Sequence, residues 1–404
     1  MKRIIVKLTC LLAILFVSSF LAKGVKAQVH DYVYDYERMS RAVVSMLNAV
    51  ENFIAVNIDV IDCNNAFIGK PIPKDAACNY KGINPEGGCM RIGKELTQRT
   101  GIKVKFASEG KGKLGLRNKE NTPDEWESNQ LKKFATIRYP KGVGFGEVEM
   151  IKETLDVQYR YIYPLYVEPS CLKCHGDPAT SPTKDGKDVT GNTMEGYKLV
   201  ELIGAISIVS PIEAEPTTGT EVVFYDYNKM AKVIINLLQM PGYFMARNLD
   251  VIDTYGAFLG KPVPQNEPSS YKGINPVAFA KTITTEFAAS TGIKARFISE
   301  GKGSYGPRNP SEAAPDPWEL IQLRKYTEKA PNTEGYGEVI KISAVGLTVY
   351  RYFYPLYINE LCQKCHGDPA TSPTRDGKDI TGAYMENYKV GDLRGGISLT
   401  FPVK

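Results

Sequence analysis

Val157-Gln158-Tyr159-Arg160-Tyr161-Ile162-Tyr163-Pro164-Leu165-Tyr166-Val167 is a run dense in aromatic and β-branched side chains, and it leads within a few residues into Cys171-Leu172-Lys173-Cys174-His175. The run predicts a β-strand. Ile203 to Val209 predicts another, so the Cys-x-x-Cys-His motif falls in the connection between the last two strands. Working outward, Ile102, Val104 and Phe106 alternate with lysines as a third strand, and a helix is expected after Asn84-Pro85, where Ile92 and Leu96 share a face. Val33 to Val60 has apolar residues at three and four spacing with no internal Gly or Pro, which predicts a long opening helix. Helix followed by antiparallel strands reads as an α+β fold.

The whole pattern occurs twice. Cys362-Gln363-Lys364-Cys365-His366 repeats the motif 191 residues on, Asp59-Val60-Ile61-Asp62 returns as Asp250-Val251-Ile252-Asp253, and Tyr80-Lys81-Gly82-Ile83-Asn84-Pro85 returns as Tyr271-Lys272-Gly273-Ile274-Asn275-Pro276. A repeat of this length is a domain and not a solenoid unit. Glu213 to Thr220, rich in Pro, Thr and Gly, supplies the joint. The expected organisation is a signal peptide over 1–27, a first domain over 28–215 and a second over 216–404.

Cys-x-x-Cys-His is the attachment pattern of c-type haem: two thiols add to the porphyrin vinyl groups, and the adjacent imidazole meets the iron from below. Zinc knuckles, redox pairs and structural disulfides share Cys-x-x-Cys. The trailing histidine in both copies favours haem. Two covalent haem c groups are therefore expected, on Cys171 and Cys174 and on Cys362 and Cys365, with His175 and His366 as axial ligands.

Met1 to Ala27 has a basic start, an apolar stretch and Val25-Lys26-Ala27 before Gln28, the features of a cleaved export signal. No other stretch is expected to span a membrane. The formal charge of +5 resides in Lys2, Arg3, Lys7, Lys23 and Lys26, so the mature chain is neutral and has no electrostatic case for binding nucleic acid. Its expected partners are redox proteins, and composition does not fix its oligomeric state.

Ligands for the remaining iron positions are scarce. The chain has three histidines, and the third, His30, has Glu221 as its counterpart. Beyond the motifs and Cys10 in the signal, Cys63, Cys78 and Cys89 remain. Cys78 and Cys89 flank a Gly-rich stretch and are the expected disulfide, which leaves Cys63 free.

Ser299-Glu300, Pro307-Arg308-Asn309-Pro310, Pro315-Asp316-Pro317-Trp318-Glu319, Tyr354-Pro355-Leu356, Cys362 to Gly367 and Tyr388 to Ser398 together resemble a family of single-haem, PAS-like periplasmic domains. That family is catalogued mainly as a domain of unknown function and occurs alone or as the sensory part of kinases and chemoreceptors. The likeness spans nearly all of each half and is looser in the first, which has Leu116-Arg117-Asn118-Lys119. It implies two tandem PAS-like domains, each with a long amino-terminal helix, an antiparallel sheet and one covalent haem.

Among such domains a cysteine thiolate is one choice of sixth ligand, which makes Cys63, matched by Thr254, the candidate for the first haem. Met194 and Met385, or Met39 and Met230, are the rivals, and the second site stays open between Met385, Met230 and no ligand. Arg117 and Arg308, or Arg160 and Arg351, could pair with haem propionates. Tyr161, Tyr163 and Tyr166, with Tyr352, Tyr354 and Tyr357, are candidates to line the pockets, and Trp126 and Trp318 to fill cores.

The expected function is that of an exported dihaem cytochrome that carries or relays single electrons, since no output module follows the last strand before Lys404. A soluble redox or gas sensor acting through a separate partner is the alternative. Enzymatic peroxide chemistry is disfavoured because no histidine is left to act as acid or base.

Overall fold

The computed structural model describes residues 36–65, 67, 71–140, 142–151, 154, 157–212, 221–258, 261–308, 314–328, 334–342 and 347–403. The signal segment, His30 and the joint at Glu213 to Thr220 lie outside them. Each half opens with a long helix, α1 (Tyr36–Asp62) or α5 (Glu221–Asp253), followed by a second, α2 (Pro85–Thr100) or α6 (Pro276–Thr291). The second helix starts where the sequence predicts. The Asn84 side chain accepts from the Gly87 amide, Pro85 fills the first turn, and Gly101 ends the helix in the left-handed region at φ 74°.

In the first half β1 (Lys103–Ala107), α3 (Glu125–Thr136), β2 (Phe145–Met150), β3 (Val157–Tyr166), α4 (Leu172–His175) and β4 (Leu202–Pro211) follow. The second half repeats them as β5 (Lys294–Ile298), α7 (Pro317–Thr327), β6 (Tyr336–Ile342), β7 (Leu347–Tyr357), α8 (Glu360–His366) and β8 (Leu393–Pro402). Both sheets are antiparallel, in the orders β1-β4-β3-β2 and β5-β8-β7-β6. The fold is α+β with a long amino-terminal helix and an antiparallel sheet, built twice. Central strand β3 carries side chains to both faces: Tyr159 and Tyr161 enter the main core, while Ile162 joins Leu131 and Phe134 of α3 on the other. Its register with β4 shifts between Leu165 and Tyr166, and β7 shifts against β8 between Leu356 and Tyr357. The irregularity turns each strand out of its ladder just ahead of the cysteines.

The halves are not independently packed. Val43, Met46, Leu47 and Val50 of α1 and Ile234, Leu237 and Met245 of α5 are fully buried in one core, to which both sheets contribute. Phe53 meets Phe279 edge-on across the halves, ring centres 4.6 Å apart. Each long helix buries its apolar surface with help from the other half. α1 is also long and apolar enough to cross a bilayer, which corrects the expectation that no such stretch follows the signal, but much of it is buried in this shared core.

A reciprocal polar lock closes the shared core. The Lys81 ammonium donates to the carbonyls of Ile252 (3.0 Å) and Thr254 at the end of α5, and Lys272 donates to those of Ile61 (3.0 Å) and Cys63 at the end of α1. Each lysine has no solvent exposure, and its own backbone amide is held by Asp62 or Asp253. The carbonyls at a helix carboxyl end lack intrahelical partners and carry the negative end of its dipole, so an ammonium from the opposite half is a fitting cap. Burial pushes the Asp62 and Asp253 carboxyls up to about 7 and pulls both ammonium groups below the usual lysine range.

Candidate functional site

Each motif lies at the end of a short helix: Cys171 caps the single turn of α4, and Cys362 sits inside α8, which Asn359 caps. The His175 amide donates to the Cys171 carbonyl at 2.9 Å and Gly176 to Leu172 at 3.0 Å. A Cβ at Gly176 would lie 2.4 Å from the Leu172 carbonyl oxygen, so only glycine lets the chain leave the turn this tightly; Gly367 stands in the same relation to Gln363. Burial pushes the Cys174 and Cys365 thiols up to about 12.

A carboxylate fixes each histidine. Glu195 Oε2 lies 3.0 Å from His175 Nδ1, and Glu386 Oε2 lies 2.9 Å from His366 Nδ1. With Nδ1 engaged, Nε2 is the nitrogen left to bind a metal. Each glutamate is in turn gripped by an arginine. Arg117 donates to both oxygens of Glu195, to Asp188 Oδ2 at 2.6 Å and to the carbonyls of Cys174 (2.6 Å) and Thr193 (2.8 Å). Arg308 repeats this with Glu386, Asp379, Cys365 and Tyr384. Burial disfavours the charge on Glu386, but hydrogen bonds from His366 and Arg308 outweigh it and hold the carboxyl down at about 2. Tyr197 and Tyr388 stand edge-on to the two imidazoles, centres 6.2 and 6.3 Å away.

Beside the first motif a cavity of about 600 Å³ opens between α1 and the end of β3. Cys171, Cys174 and His175 lie on one wall, Tyr163 and Tyr166 on another, and Glu51, Ala55 and Ile58 of α1 on a third. The volume is that of a small-molecule or cofactor pocket.

The family model of the Tll0287-like domain matches residues 31–211 and again residues 221–402. The chain belongs to the Tll0287-like family. As a Tll0287-like tandem it is also similar to one solved structure, titled the crystal structure of the cyanobacterial heme-protein Tll0287, at 15% identity and a TM-score of 0.30, covering 43% of this chain and 93% of that one. No curated protein matches it.

Several expected roles move. Cys63 is bonded to Cys78, Cα atoms 3.9 Å apart, and Cys89 is the buried free thiol, so the Cys78–Cys89 pairing is corrected and Cys63 has no thiolate to offer iron. The bridge joins positions already paired as an isolated β-bridge, which Thr254 and Ser269 form in the second half. Met39 and Met230 are in the shared core. Met194 and Met385 are buried in the loops after the motifs, their amides on Gly186 and Gly377, and Met194 is not among the cavity residues.

The four candidate arginines have protein partners. Arg117 and Arg308 hold the glutamates, while Arg160 and Arg351 pair with Asp124 and Asp316 and lie 4.3 Å over Trp126 and Trp318. Tyr161 is core, whereas Tyr163 and Tyr166 do line the cavity. The His–Glu–Arg–Asp chain was missed from sequence, although every member recurs at the offset of 191. Among the described residues no group of three or more His, Cys, Asp or Glu side chains is assembled to hold a metal ion.

Proposed function

We propose that the chain is an exported dihaem c-type cytochrome, a one-electron carrier or relay for redox partner proteins. The observation that carries this reading is the duplicated unit in which two thiols on one turn accompany a histidine whose Nδ1 is locked to a carboxylate. Cys171, Cys174 and His175 would hold one haem and Cys362, Cys365 and His366 the other, and the first set faces a cavity of suitable size. When bound, haem supplies iron that gains and loses one electron.

The protein's own part is to aim the imidazole, raise its basicity through the carboxylate, and keep that carboxylate ionised with a forked arginine. One shared core holds both sites, which favours transfer without large rearrangement. Export is supported by the features of Met1 to Ala27 and by a disulfide that suits an oxidising compartment.

Pyridine haemochrome analysis of the purified protein should return two haems per chain, and stepwise potentiometry two one-electron waves. One haem or none would refute the proposal. A haem-based redox or gas sensor acting through a separate partner is the second reading. It is favoured by the first cavity, where the described lining has no methionine and no cysteine or histidine beyond the motif, so that a small ligand could meet the iron.

A further inference from the structure

The two sites differ in the acidic residues around the motif. Besides Glu195, which is engaged by His175 and Arg117, three glutamates line the first cavity: Glu51 from α1, Glu86 from α2 and Glu168 from the connection ahead of Cys171. Their counterparts at the 191-residue offset are Gly242, Val277 and Asn359, none of them ionisable. Where α1 carries Val50-Glu51-Asn52, α5 carries Pro241-Gly242-Tyr243.

The cations of the cavity are committed elsewhere. Arg117 is spent on Glu195 and Asp188, Lys173 on Asp59 at 2.5 Å, and Arg138 lies over the Tyr166 ring. Glu86 has amide donors, Asn118 at 3.1 Å and Asn121 at 2.9 Å. The titratable groups facing Glu51 are the Glu86 and Glu168 carboxyls and the Cys89 and Cys171 thiols. Burial first, and repulsion from Glu86 and Glu168 second, push its carboxyl up to about 7.

Building on the haem reading above, we infer that Glu51 is a proton acceptor belonging to the first site alone, binding one proton when the first haem takes up one electron. The balance is simple. A one-electron reductant supplies the electron, ferric iron becomes ferrous, and the Glu51 carboxylate takes one proton from the buffered solvent. Ferric haem bears one more positive charge than ferrous haem and so stabilises a carboxylate across the cavity. Reduction removes that charge, and the half-buried, repelled Glu51 becomes a stronger base. The second half carries Gly242, Val277 and Asn359 at the matching positions, so its electron affinity is set without a proton from them.

The test is potentiometry of the holoprotein from pH 5 to 9, after haem analysis has counted two haems per chain. One of the two waves should shift with pH toward a tenfold change in reduction constant per unit, about 59 mV for one electron. Glu51→Gln should flatten that wave and leave the other alone, while Glu51→Asp keeps the dependence. Haem propionates titrate at both sites, so only the difference between wild type and Glu51→Gln bears on Glu51.

Gly242→Glu is the reciprocal variant. A Cβ there meets nothing within 4 Å, so the side chain has room, and it should confer pH dependence on the second wave. An unchanged slope in Glu51→Gln would overturn the inference with the haem reading intact; fewer than two haems would instead overturn the haem reading itself.

Discussion

Replacing Lys81 by methionine keeps the apolar stem and removes the ammonium that closes α5 from the other half. The Ile252 and Thr254 carbonyls then lose their buried donor, at a cost of about 1–3 kcal/mol each. Against this stands the relieved burial of an ammonium already pulled below the usual lysine range by desolvation. The net expectation is a loss of about 2–3 kcal/mol, spread over the whole molecule because the lock joins both halves. Urea unfolding followed by tryptophan fluorescence and far-ultraviolet dichroism should show the two signals moving together to lower midpoint.

The pH dependence has a definite sign. A lysine whose folded value is lowered binds fewer protons folded than unfolded, so it makes stability rise with pH from that lowered value up to the usual lysine range. Lys272→Met should flatten this rise, since burial lowers Lys272 in the same way. A Lys81→Met protein within 0.5 kcal/mol of wild type, or one whose halves unfold in separate transitions, would refute the idea of a load-sharing lock.

Cys63→Ser with Cys78→Ser opens a loop of 15 residues and should cost about 3 kcal/mol in stability while leaving the ferric spectrum unchanged. A changed low-spin electron paramagnetic resonance signal would return Cys63 to the iron. Arg308→Lys keeps the charge but not the fork that spans Glu386, Asp379 and two carbonyls, and should lower stability by about 2 kcal/mol and reduce the haem-to-protein ratio. Glu195→Gln weakens the pull on His175 Nδ1 and should raise the potential of one haem only, as read by potentiometry.

The secondary structure of the central elements was legible because their side chains face a core: the α2 cap at Asn84, the alternation around Phe106 and the aromatic density of β3 each report burial directly. β2 was not. It is a sheet-edge strand with Glu147, Val148 and Met150 partly or fully in solvent, so it has no apolar period to read. The shared core was hidden for a related reason. Val43, Val44, Met46 and Leu47 bury more than one face of α1, and a helix apolar nearly all round signals burial without saying against what.

The motif histidines and cysteines announced themselves by spacing alone. Their supporting acid and base did not, because Glu195 and Arg117 are 78 residues apart and meet only through the fold. Lys81 and Lys272 were visible as repeated residues, yet a lysine with no exposure runs against every compositional expectation.

The reciprocal lysine lock relates the halves as the subunits of a symmetric dimer are related, with each partner completing the other. Between two separate chains such an arrangement ties every substitution to its twin, since one coding change alters both subunits. Joined in a single polypeptide, the same architecture frees each position to change alone. Glu51 opposite Gly242, and the Cys63–Cys78 bridge opposite Thr254 and Ser269, are differences of this kind. Fusion thus turns a symmetric scaffold into one that can hold two unlike sites at a fixed spacing, and gives a direction to whatever passes between them.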